Sequence, residues 1–398
     1  MSLVKNANSI LSILDRVDSL SKQGEIVSDN LCIQVHGEDS NIQNWLQDNF
    51  AFITGRVASN AVDNHKVAVV CADDWIRQVI EIFDAGQFSS QVYSRRGIVF
   101  YRIKISSHVN IDYLPSLGCA WITQQSGWLG NTDNNLVVLI YSSRTPLPFR
   151  ELRIGLIDII NRYFESRGWH TLHAGAVKAS SNSKTLMIVG ASSSGKTSLI
   201  LQLLKNQFQF IGNERLFCRS TKEGIRIHAF AQPINVGLGS AMHHDAIKEL
   251  INRPDRCSYF QSMFEPSRVW NTSQDQLAQL PDKIKILPQE LIEAFDAPPS
   301  KASSIVNAII VPKIGDEPQT IAEILTVEEV HQILRENYFA SVNDQIYPRW
   351  LPIEYDYHAE LDPMPIIDLL SQVPAWQIRY SGSQTESLLP TLQDVGVA

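Results

Sequence analysis

The chain has 398 residues, of which 44% are hydrophobic and 19% are charged, a composition typical of globular proteins and, at this length, of two domains. Its formal net charge is −8 and its basic residues are scattered, which argues against nucleic acid as a partner because a phosphate backbone is bound by a cationic surface. The apolar runs are too short to span a bilayer, and the five cysteines form no CxxC pair, so we expect a cytoplasmic protein with no membrane partner, disulfide or zinc site.

Residues 1–145 predict an α+β N-terminal domain. Residues 1–23 carry apolar side chains at helical spacing interrupted by charges, and we expect an amphipathic helix rather than a signal peptide. Four strand-length runs, rich in β-branched and aromatic residues and separated by polar breaks, follow. They are "NLCIQVHG", "HKVAVVCADD", "GIVFYRIKIS" and "NNLVVLIYSS".

A helix is predicted over 146–168, where apolar residues recur at helical spacing and Gly168 provides a stop. It connects to a second domain predicted over 169–350. There "LHAGAVKA", "TLMIVG" and "FQFIGNERLFCR" read as strands, and "TSLILQLLKNQ" reads as a helix. Strand, loop, helix and strand in this order predict a βαβ unit with a parallel strand pair.

Further along, "SSIVNAIIVPKI" predicts a buried strand and "TVEEVHQILRENYF" a helix with Thr326 as its N-cap. Residues 251–305 are polar and interrupted by prolines, which suits either a lid or an ordinary connection. Residues 351–398 hold seven acidic residues and one basic residue, and we expect an acidic, solvated C-terminal extension.

The most specific motif is "GASSSGKTSL", which satisfies G-x-x-x-x-G-K-[ST]. Its glycines let successive backbone N–H groups point into one anion-sized hollow, and the following helix adds its positive end. The lysine is placed to reach the β- and γ-phosphates, and the threonine hydroxyl to bind Mg²⁺. An apolar strand before the motif and an amphipathic helix after it supply the context that a phosphate site needs. The residues predicted to bind the nucleotide are Gly190, Ser192, Ser193, Ser194, Gly195, Lys196, Thr197 and Ser198.

Other signatures restrict the class of nucleotide-binding protein. The sequence has no NKxD tetrapeptide for reading guanine and no LSGGQ-like segment, which argues against a GTPase and an ABC-type ATPase. Asp73 and Asp74 follow an apolar run as in a Walker B strand, but they lie far upstream in the other domain. We interpret them as a strand end followed by a polar turn. Three consecutive polar residues, His243, His244 and Asp245, read as a solvated helix start rather than a metal cluster.

Taken together, "LHAGAVKA", the segment from "TLMIVG" to "NERLF", and "NAIIVPKI" resemble the HPr kinase/phosphorylase-related proteins. The resemblance covers about residues 165–335 and implies the P-loop fold that these proteins share with the ATP-dependent phosphoenolpyruvate carboxykinases. It implies that His173 lies near the phosphates. Where the family has two aspartates this chain has Asn213 and Glu214, followed by Arg215. The second signature of true HPr kinases is not recognisable, so HPr is not the expected acceptor.

The sequence therefore predicts an α/β P-loop kinase domain that uses MgATP to phosphorylate a hydroxyl group of a peptide, a protein or a small molecule. The catalytic residues expected are Glu214, His173, Lys196, Asn213 and Arg215, and the metal ligands are Thr197 and Glu214. An amide at position 213 cannot act as a base, so a catalytically impaired nucleotide-binding regulator or scaffold stays as the alternative. A motor or transport ATPase has the weakest support, and a homo-oligomer stays open.

Overall fold

The structure is a computed structural model of the chain. It describes residues 17, 19–28, 31–50, 63–86, 90–93, 99–104, 109–124, 135–229, 232–253, 276–277, 283–298, 303–315, 319–339, 361–381 and 386–397. The helix predicted at the start of the chain lies almost entirely outside these residues. The chain forms two compact units. Most of the first is formed by Met1–Gln47 and Ile53–Arg167, and most of the second by Gly168–Phe339 and Leu361–Ala398.

The first unit is built on one eight-stranded mixed sheet. Its strand order is β1-β2-β3-β8-β7-β6-β5-β4, with β2, β3 and β8 parallel and the other neighbours antiparallel. The strands are β1 Ser21–Ser28, β2 Leu31–Gly37, β3 Asp63–Cys71, β4 Ser90–Tyr93, β5 Val99–Lys104, β6 Val109–Leu114, β7 Cys119–Gln124 and β8 Asn135–Tyr141. The helices of this part of the chain are α1 Asn41–Phe50, α2 Asp73–Asp84 and α3 Phe149–Glu165.

The four predicted runs are confirmed as β2, β3, β5 and β8, because each alternates or concentrates apolar residues over a strand length. The predicted polar turn at Asp73 and Asp74 is wrong, since both residues begin α2. The Asp73 carboxylate accepts hydrogen bonds from Ser142 and Ser143, which lower its pKa. The predicted helix before Gly168 is confirmed as α3, and Gly168 has the left-handed φ of +73° that suits a glycine stop.

The second unit contains three further sheets. Their orders are β12-β10-β11-β18-β21-β19, β17-β14-β13-β9-β20 and β15-β16. The strands are β9 His170–Leu172, β10 Ala174–Lys178, β11 Thr185–Val189, β12 Gln209–Gly212, β13 Leu216–Thr221, β14 Gly224–Ala229, β15 Ile234–Gly237, β16 Lys283–Ile286, β17 Ser303–Ile305, β18 Ala308–Ile314, β19 Ile321–Ile324, β20 Tyr338–Phe339 and β21 Ala375–Tyr380. The helices are α4 Lys196–Lys205, α5 Leu238–Met242, α6 Asp245–Asn252, α7 Pro288–Ala294, α8 Val327–Glu336, α9 Met364–Ser371 and α10 Leu388–Asp394.

The six-stranded sheet is the middle layer of this unit. Successive residues of β11 point to opposite faces, so Leu186 and Ile188 join one core while Met187 and Val189 join another. The first core contains the apolar face of α4, and the second contains β13, β14, α8 and α9. Burial on both faces explains why β11 and β18 read as continuous apolar runs.

Three long strands predicted from the sequence are each divided between two sheets. The chain leaves the five-stranded sheet at the end of β9 and enters the six-stranded sheet at β10, with His173 between them. It makes the reverse change between β12 and β13, at residues 213–215, and crosses again between β17 and β18. Each stretch reads as a single strand because apolar residues lie on both sides of its break.

The predicted parallel pair of the βαβ unit is corrected by the strand order. β10 lies between β11 and β12 and is antiparallel to both, so β11 and β12 run the same way without touching. The parallel neighbour of β11 is β18. A long-range pairing of this kind leaves no trace in the local pattern from which the unit was predicted.

The predicted C-terminal extension is also corrected. β21 lies inside the six-stranded sheet, parallel to β18 and antiparallel to β19, and Ile378 and Tyr380 are fully buried. The acidic residues that suggested a solvated tail include Asp368 and Glu386, which are exposed. The excess of acidic residues predicted a tail, but it carries no information about the alternating apolar pattern of "AWQIRY", which is typical of a strand. In residues 251–305 the described part holds the end of α6, then β16, α7 and β17.

We expect Ile378→Ala to lower the free energy of unfolding by about 2–5 kcal/mol, because it deletes buried methyl groups from the core beneath α4. Ile324 is 80% exposed on the adjacent edge strand β19, and Ile324→Ala is the matched control, with an expected effect within about 0.5 kcal/mol. Urea unfolding followed by tryptophan fluorescence measures both. Equal effects would contradict the placement of β21 within the sheet.

Candidate functional site

The glycine-serine loop joins the buried strand β11 to α4 and has an unusual backbone. Ser193 and Gly195 have left-handed φ values of +65° and +101°. A Cβ atom on Gly195 would lie 2.6 Å from Ile314 Cγ1, so only glycine fits there. The Tyr380 hydroxyl donates a hydrogen bond to the Gly195 carbonyl at 3.0 Å. The ends of β18 and β21 therefore hold the loop at the N-terminus of α4.

Lys196 is folded back across this loop. Its Nζ donates hydrogen bonds to the carbonyl oxygens of Gly190 at 2.5 Å and Ala191 at 3.0 Å, and the residue is 8% exposed. Burial lowers its pKa, the Glu214 carboxylate raises it, and the positive charge of Lys283 lowers it further. The loop backbone thus binds the Lys196 ammonium group at the place where the motif predicts phosphate binding.

The predicted serines divide into two groups. Ser192 and Ser193 are exposed, whereas the Ser194 hydroxyl is buried and has no hydrogen-bond partner among the described residues. Ser198 is one position further round α4 than Thr197, and its hydroxyl lies 2.7 Å from that of Ser240. Thr197 and Ser198 therefore face different neighbours, as a rotation of about 100° per helical residue requires.

Thr197 faces Asn213, which is 3% exposed. The Asn213 side-chain Nδ2 donates a long hydrogen bond of 3.4 Å to Thr197 Oγ1. On its other side Asn213 lies against β10, where a Cβ atom on Gly175 would come 3.0 Å from Asn213 Oδ1. The amide is therefore packed between the helix start and the sheet.

His173 and Glu214 form a hydrogen-bonded pair beside Thr197 and Asn213, with His173 Nε2 3.3 Å from Glu214 Oε2. The pair forms because β9 neighbours β13 and β10 neighbours β12, so the two places where the chain changes sheets lie side by side. Glu214 also has a left-handed φ of +73°. The hydrogen bond from His173 and the electrostatic effects of His173, Lys196 and Lys283 lower the pKa of Glu214 against the opposing effect of burial. The carboxylate is therefore ionised at neutral pH.

The Arg215 side chain packs against a different neighbour, Phe339. Its guanidinium lies 5.1 Å above the ring of Phe339, and the His173 ring is 5.4 Å from the same ring. The Phe339 ring of β20 thus packs near both the Arg215 and the His173 side chains. All five predicted catalytic residues are near the start of α4 or at the adjoining crossover of the sheets.

One charged residue of the cluster was missed from the sequence. Lys283, the first residue of β16, is exposed, and its charge lowers the pKa values of both Lys196 and Glu214. It is placed there because Lys283 pairs with Gly237 in the two-stranded sheet of β15 and β16. The sequence around Lys283 shows only the alternation of "KIKI". This pattern predicts a strand but does not predict which residues Lys283 lies near.

A cavity of about 310 Å³ lies along α4 on the Ser198 side. Ser198 and Gln202 line it from α4, and the rest of the lining comes from the segment 237–240, His243, His244, Leu277, Ile314 and Tyr380. The prediction of a helix start at Asp245 is confirmed, but His244 is not solvated: it is 4% exposed and its ring packs edge-on against Phe295.

The described residues contain no group of three or more histidine, cysteine, aspartate or glutamate side chains placed to hold a metal ion. The metal ligands predicted from the sequence are only two, the Thr197 hydroxyl and the Glu214 carboxylate. Mg²⁺ bound with a nucleotide takes most of its ligands from phosphates and water and needs only one or two from the protein. The two side chains fit that kind of site and not a dedicated metal cage.

Comparison with family models and with curated proteins gave no match to this chain. The resemblance to the HPr kinase/phosphorylase-related proteins therefore stays a prediction. Within the part of the chain that the structure describes, no helix is both long and apolar enough to cross a membrane.

We expect His244 to make the protein sensitive to acid. Burial lowers the pKa of His244 to about 4, whereas an unfolded histidine titrates near 6.5. Between these values only the unfolded chain takes up the proton, so stability falls as the pH falls, by about 2 kcal/mol between pH 7 and pH 5. Urea unfolding of wild type and His244→Gln at both pH values measures the difference, which the variant should lose. His243 is exposed, and His243→Gln should retain the wild-type difference; a variant His244→Gln that keeps it would contradict the prediction.

Proposed function

We propose that the protein binds ATP on the glycine-serine loop and transfers its γ-phosphate to a hydroxyl acceptor. The observation that carries this proposal is the convergence of Lys196, Thr197, Asn213, Glu214 and His173 at the N-terminus of α4. Phosphoryl transfer requires little covalent chemistry from a protein, and catalysis depends on positioning and on neutralising charge. A loop that presents backbone N–H groups, a buried lysine and a paired carboxylate supports both requirements.

Lys196 is the first charge available to the phosphates. Its present partners are the neutral carbonyl oxygens of Gly190 and Ala191, and a phosphate oxygen offers a stronger, charge-assisted hydrogen bond. Lys283 approaches the same place from β16 and adds a second positive charge. Together they offset the negative charge that would otherwise repel the ionised Glu214 from a bound triphosphate.

Thr197 and Glu214 would hold Mg²⁺ together with the phosphates, and the bound ion would neutralise phosphate charge. The pairing with His173 keeps Glu214 ionised, which favours a metal-binding and orienting role for this carboxylate. Its lowered pKa makes it a weak base, but the adjoining imidazole of His173 can take up a proton. We propose that the pair orients the acceptor hydroxyl and retains its proton.

The acceptor is a serine or threonine of a peptide or protein, or a small metabolite. The resemblance to the HPr kinase/phosphorylase-related proteins supports the first class. Arg215 and the Phe339 ring border the His173 side of the cluster, so an acceptor that reaches Glu214 there meets a cation and an aromatic surface. A side chain flanked by acidic or aromatic groups suits that border best.

A nucleotide-binding regulator or scaffold is the second candidate, and Asn213 favours it. The Asn213 amide donates a hydrogen bond to the Thr197 hydroxyl, and it cannot accept a proton as a carboxylate would. If transfer requires a carboxylate at this position, the loop binds nucleotide without turning it over. The two candidates differ in product formation and not in nucleotide binding.

We expect Lys196→Ala to weaken MgATP binding by at least about tenfold, because a charged hydrogen bond is worth roughly 1.5–3 kcal/mol. Glu214→Gln should weaken MgATP binding less than Lys196→Ala does, because phosphates and water supply most of the Mg²⁺ ligands. It should lower product formation by about 100-fold or more, as expected for loss of an acid–base or charge-stabilising group. Calorimetry measures binding, and release of ADP in the presence of serine-containing peptides and small alcohols measures transfer.

Asn213→Asp distinguishes the two candidates. Wild-type binding without ADP or phosphorylated product, and turnover that appears only in Asn213→Asp, would establish the regulatory candidate. Turnover by the wild type that is lost in Glu214→Gln would exclude it. Absence of nucleotide binding in the wild type would overturn both.

We expect Lys283→Met to lower transfer by about tenfold, less than the roughly 100-fold or larger effect of removing a donor aimed directly at a transition-state charge, since Lys283 is exposed and acts at longer range. In the same variant the affinity for ATP should depend more strongly on the Mg²⁺ concentration, because one positive charge that offsets the phosphates is lost. Lys285→Met is the control on the same strand, as the charge of Lys285 is not among those that shift the pKa of Lys196 or Glu214. Equal losses in both variants would contradict a specific role for Lys283.

A further inference from the structure

We propose that the cavity beside α4 binds the base of the nucleotide, with Gln202 accepting a hydrogen bond from the exocyclic amino group of adenine. This inference rests on the proposed function, since it concerns the nucleotide whose phosphates the glycine-serine loop would bind. The position of the cavity, its size and its hydrogen-bonding groups support it independently of one another.

The position of the cavity suits the part of a nucleotide that is remote from the transferred phosphate. Thr197 faces Asn213, next to the His173 and Glu214 pair, and this side of α4 would receive the γ-phosphate. Ser198 faces Ser240 on the cavity side. A triphosphate that wraps around the N-terminus of α4 from the first side to the second would deliver its nucleoside into the cavity.

The size and walls of the cavity suit a flat ring system. Its volume of about 310 Å³ lies at the lower end of the range of about 300–1,000 Å³ for ligand pockets, too small for a folded peptide segment. Leu238, Leu277 and Ile314 provide apolar surface, and Gly237 and Gly239 leave their part of the wall without side chains. Apolar walls with few polar groups are typical of sites that stack and orient an aromatic ring.

Two of the polar side chains that line the cavity, Gln202 and His244, offer an acceptor and a donor. Gln202 is 5% and His244 4% exposed, and Gln202 Nε2 lies 3.4 Å from His244 Nε2. Because an amide nitrogen can only donate, this contact makes His244 Nε2 the acceptor and places the ring proton on Nδ1. His244 Nδ1 and Gln202 Oε1 are both buried without a hydrogen-bond partner among the described residues.

Buried polar atoms without partners are uncommon and costly in proteins, and a ligand that supplies both partners relieves the cost. The adenine edge offers an amino donor next to a ring-nitrogen acceptor, the complement of Gln202 Oε1 and His244 Nδ1–H. Burial of His244 keeps its ring neutral, so the two nitrogens hold these different roles throughout the neutral pH range. The proposal requires the Gln202 side chain to turn its oxygen to the ring edge while its amide nitrogen stays on His244 Nε2.

The test compares three ligands on the full chain by calorimetry with Mg²⁺ present: the β,γ-imido analogue of ATP, the same analogue with purine in place of adenine, and tripolyphosphate. For the wild type we expect the adenine analogue to bind about tenfold more tightly than the other analogue, as one net hydrogen bond predicts. It should also bind at least about tenfold more tightly than tripolyphosphate.

Gln202→Met keeps the length of the side chain and removes its acceptor. It should bring the affinity for the adenine analogue to within about threefold of that for the purine analogue, and should leave tripolyphosphate binding unchanged. Gln209→Met, on β12 and not lining the cavity, should behave as wild type. The wild-type comparison of the two analogues needs no variant and tests the amino contact even if Gln202→Met fails to fold.

The outcomes separate this inference from the proposed function. If tripolyphosphate binds the wild type as tightly as the adenine analogue, the phosphate site stands and the base pocket is refuted. A preference for adenine that Gln202→Met retains in full places the base elsewhere and also refutes it. If neither the analogues nor tripolyphosphate binds, the proposed function itself fails.

Discussion

The candidate site depends on two adjacent places where the chain passes from one sheet to another. The polypeptide changes sheets at His173 in one direction and at residues 213–215 in the other, and β9 and β10 neighbour β13 and β12 respectively. Side chains at such junctions belong to neither ladder, so they are available for other contacts. The pairing of His173 with Glu214 and the contact of Asn213 with Thr197 both arise from this arrangement.

A second constraint fixes the loop against the sheet. Tyr380 is buried in β21 and its hydroxyl bonds to Gly195, while Ile314 at the end of β18 occupies the space that a side chain at Gly195 would need. Both strands come from parts of the chain more than a hundred residues after the loop. The loop conformation is therefore decided partly by long-range packing, and the C-terminal strand that net charge had suggested to be a tail is one of its supports.

Local patterns predicted a large part of the molecule correctly. The strands β2, β3, β5 and β8, the helix α3, the loop between β11 and α4, and the N-cap of α8 at Thr326 all follow from periodicity, turn residues and capping, which are short-range effects. The division of long apolar runs between sheets was not predictable, because burial on both faces erases the alternation that would mark each break. The same limit concealed Lys283, Gln202 and His244, whose roles depend on neighbours distant in sequence.

The sequence by itself determined the strand, loop and helix around Gly190, Gly195, Lys196 and Thr197, since the spacing of glycines and apolar residues acts within about twenty residues. Only the tertiary structure decided which side chains meet that loop. It brought Glu214 to His173 and Asn213 to Thr197, placed Lys283 within electrostatic reach, and left a cavity between α4 and the segment that follows β15. The reason is physical: hydrogen bonding within a helix or turn is encoded locally, whereas strand order and sheet crossing depend on the burial of the whole core.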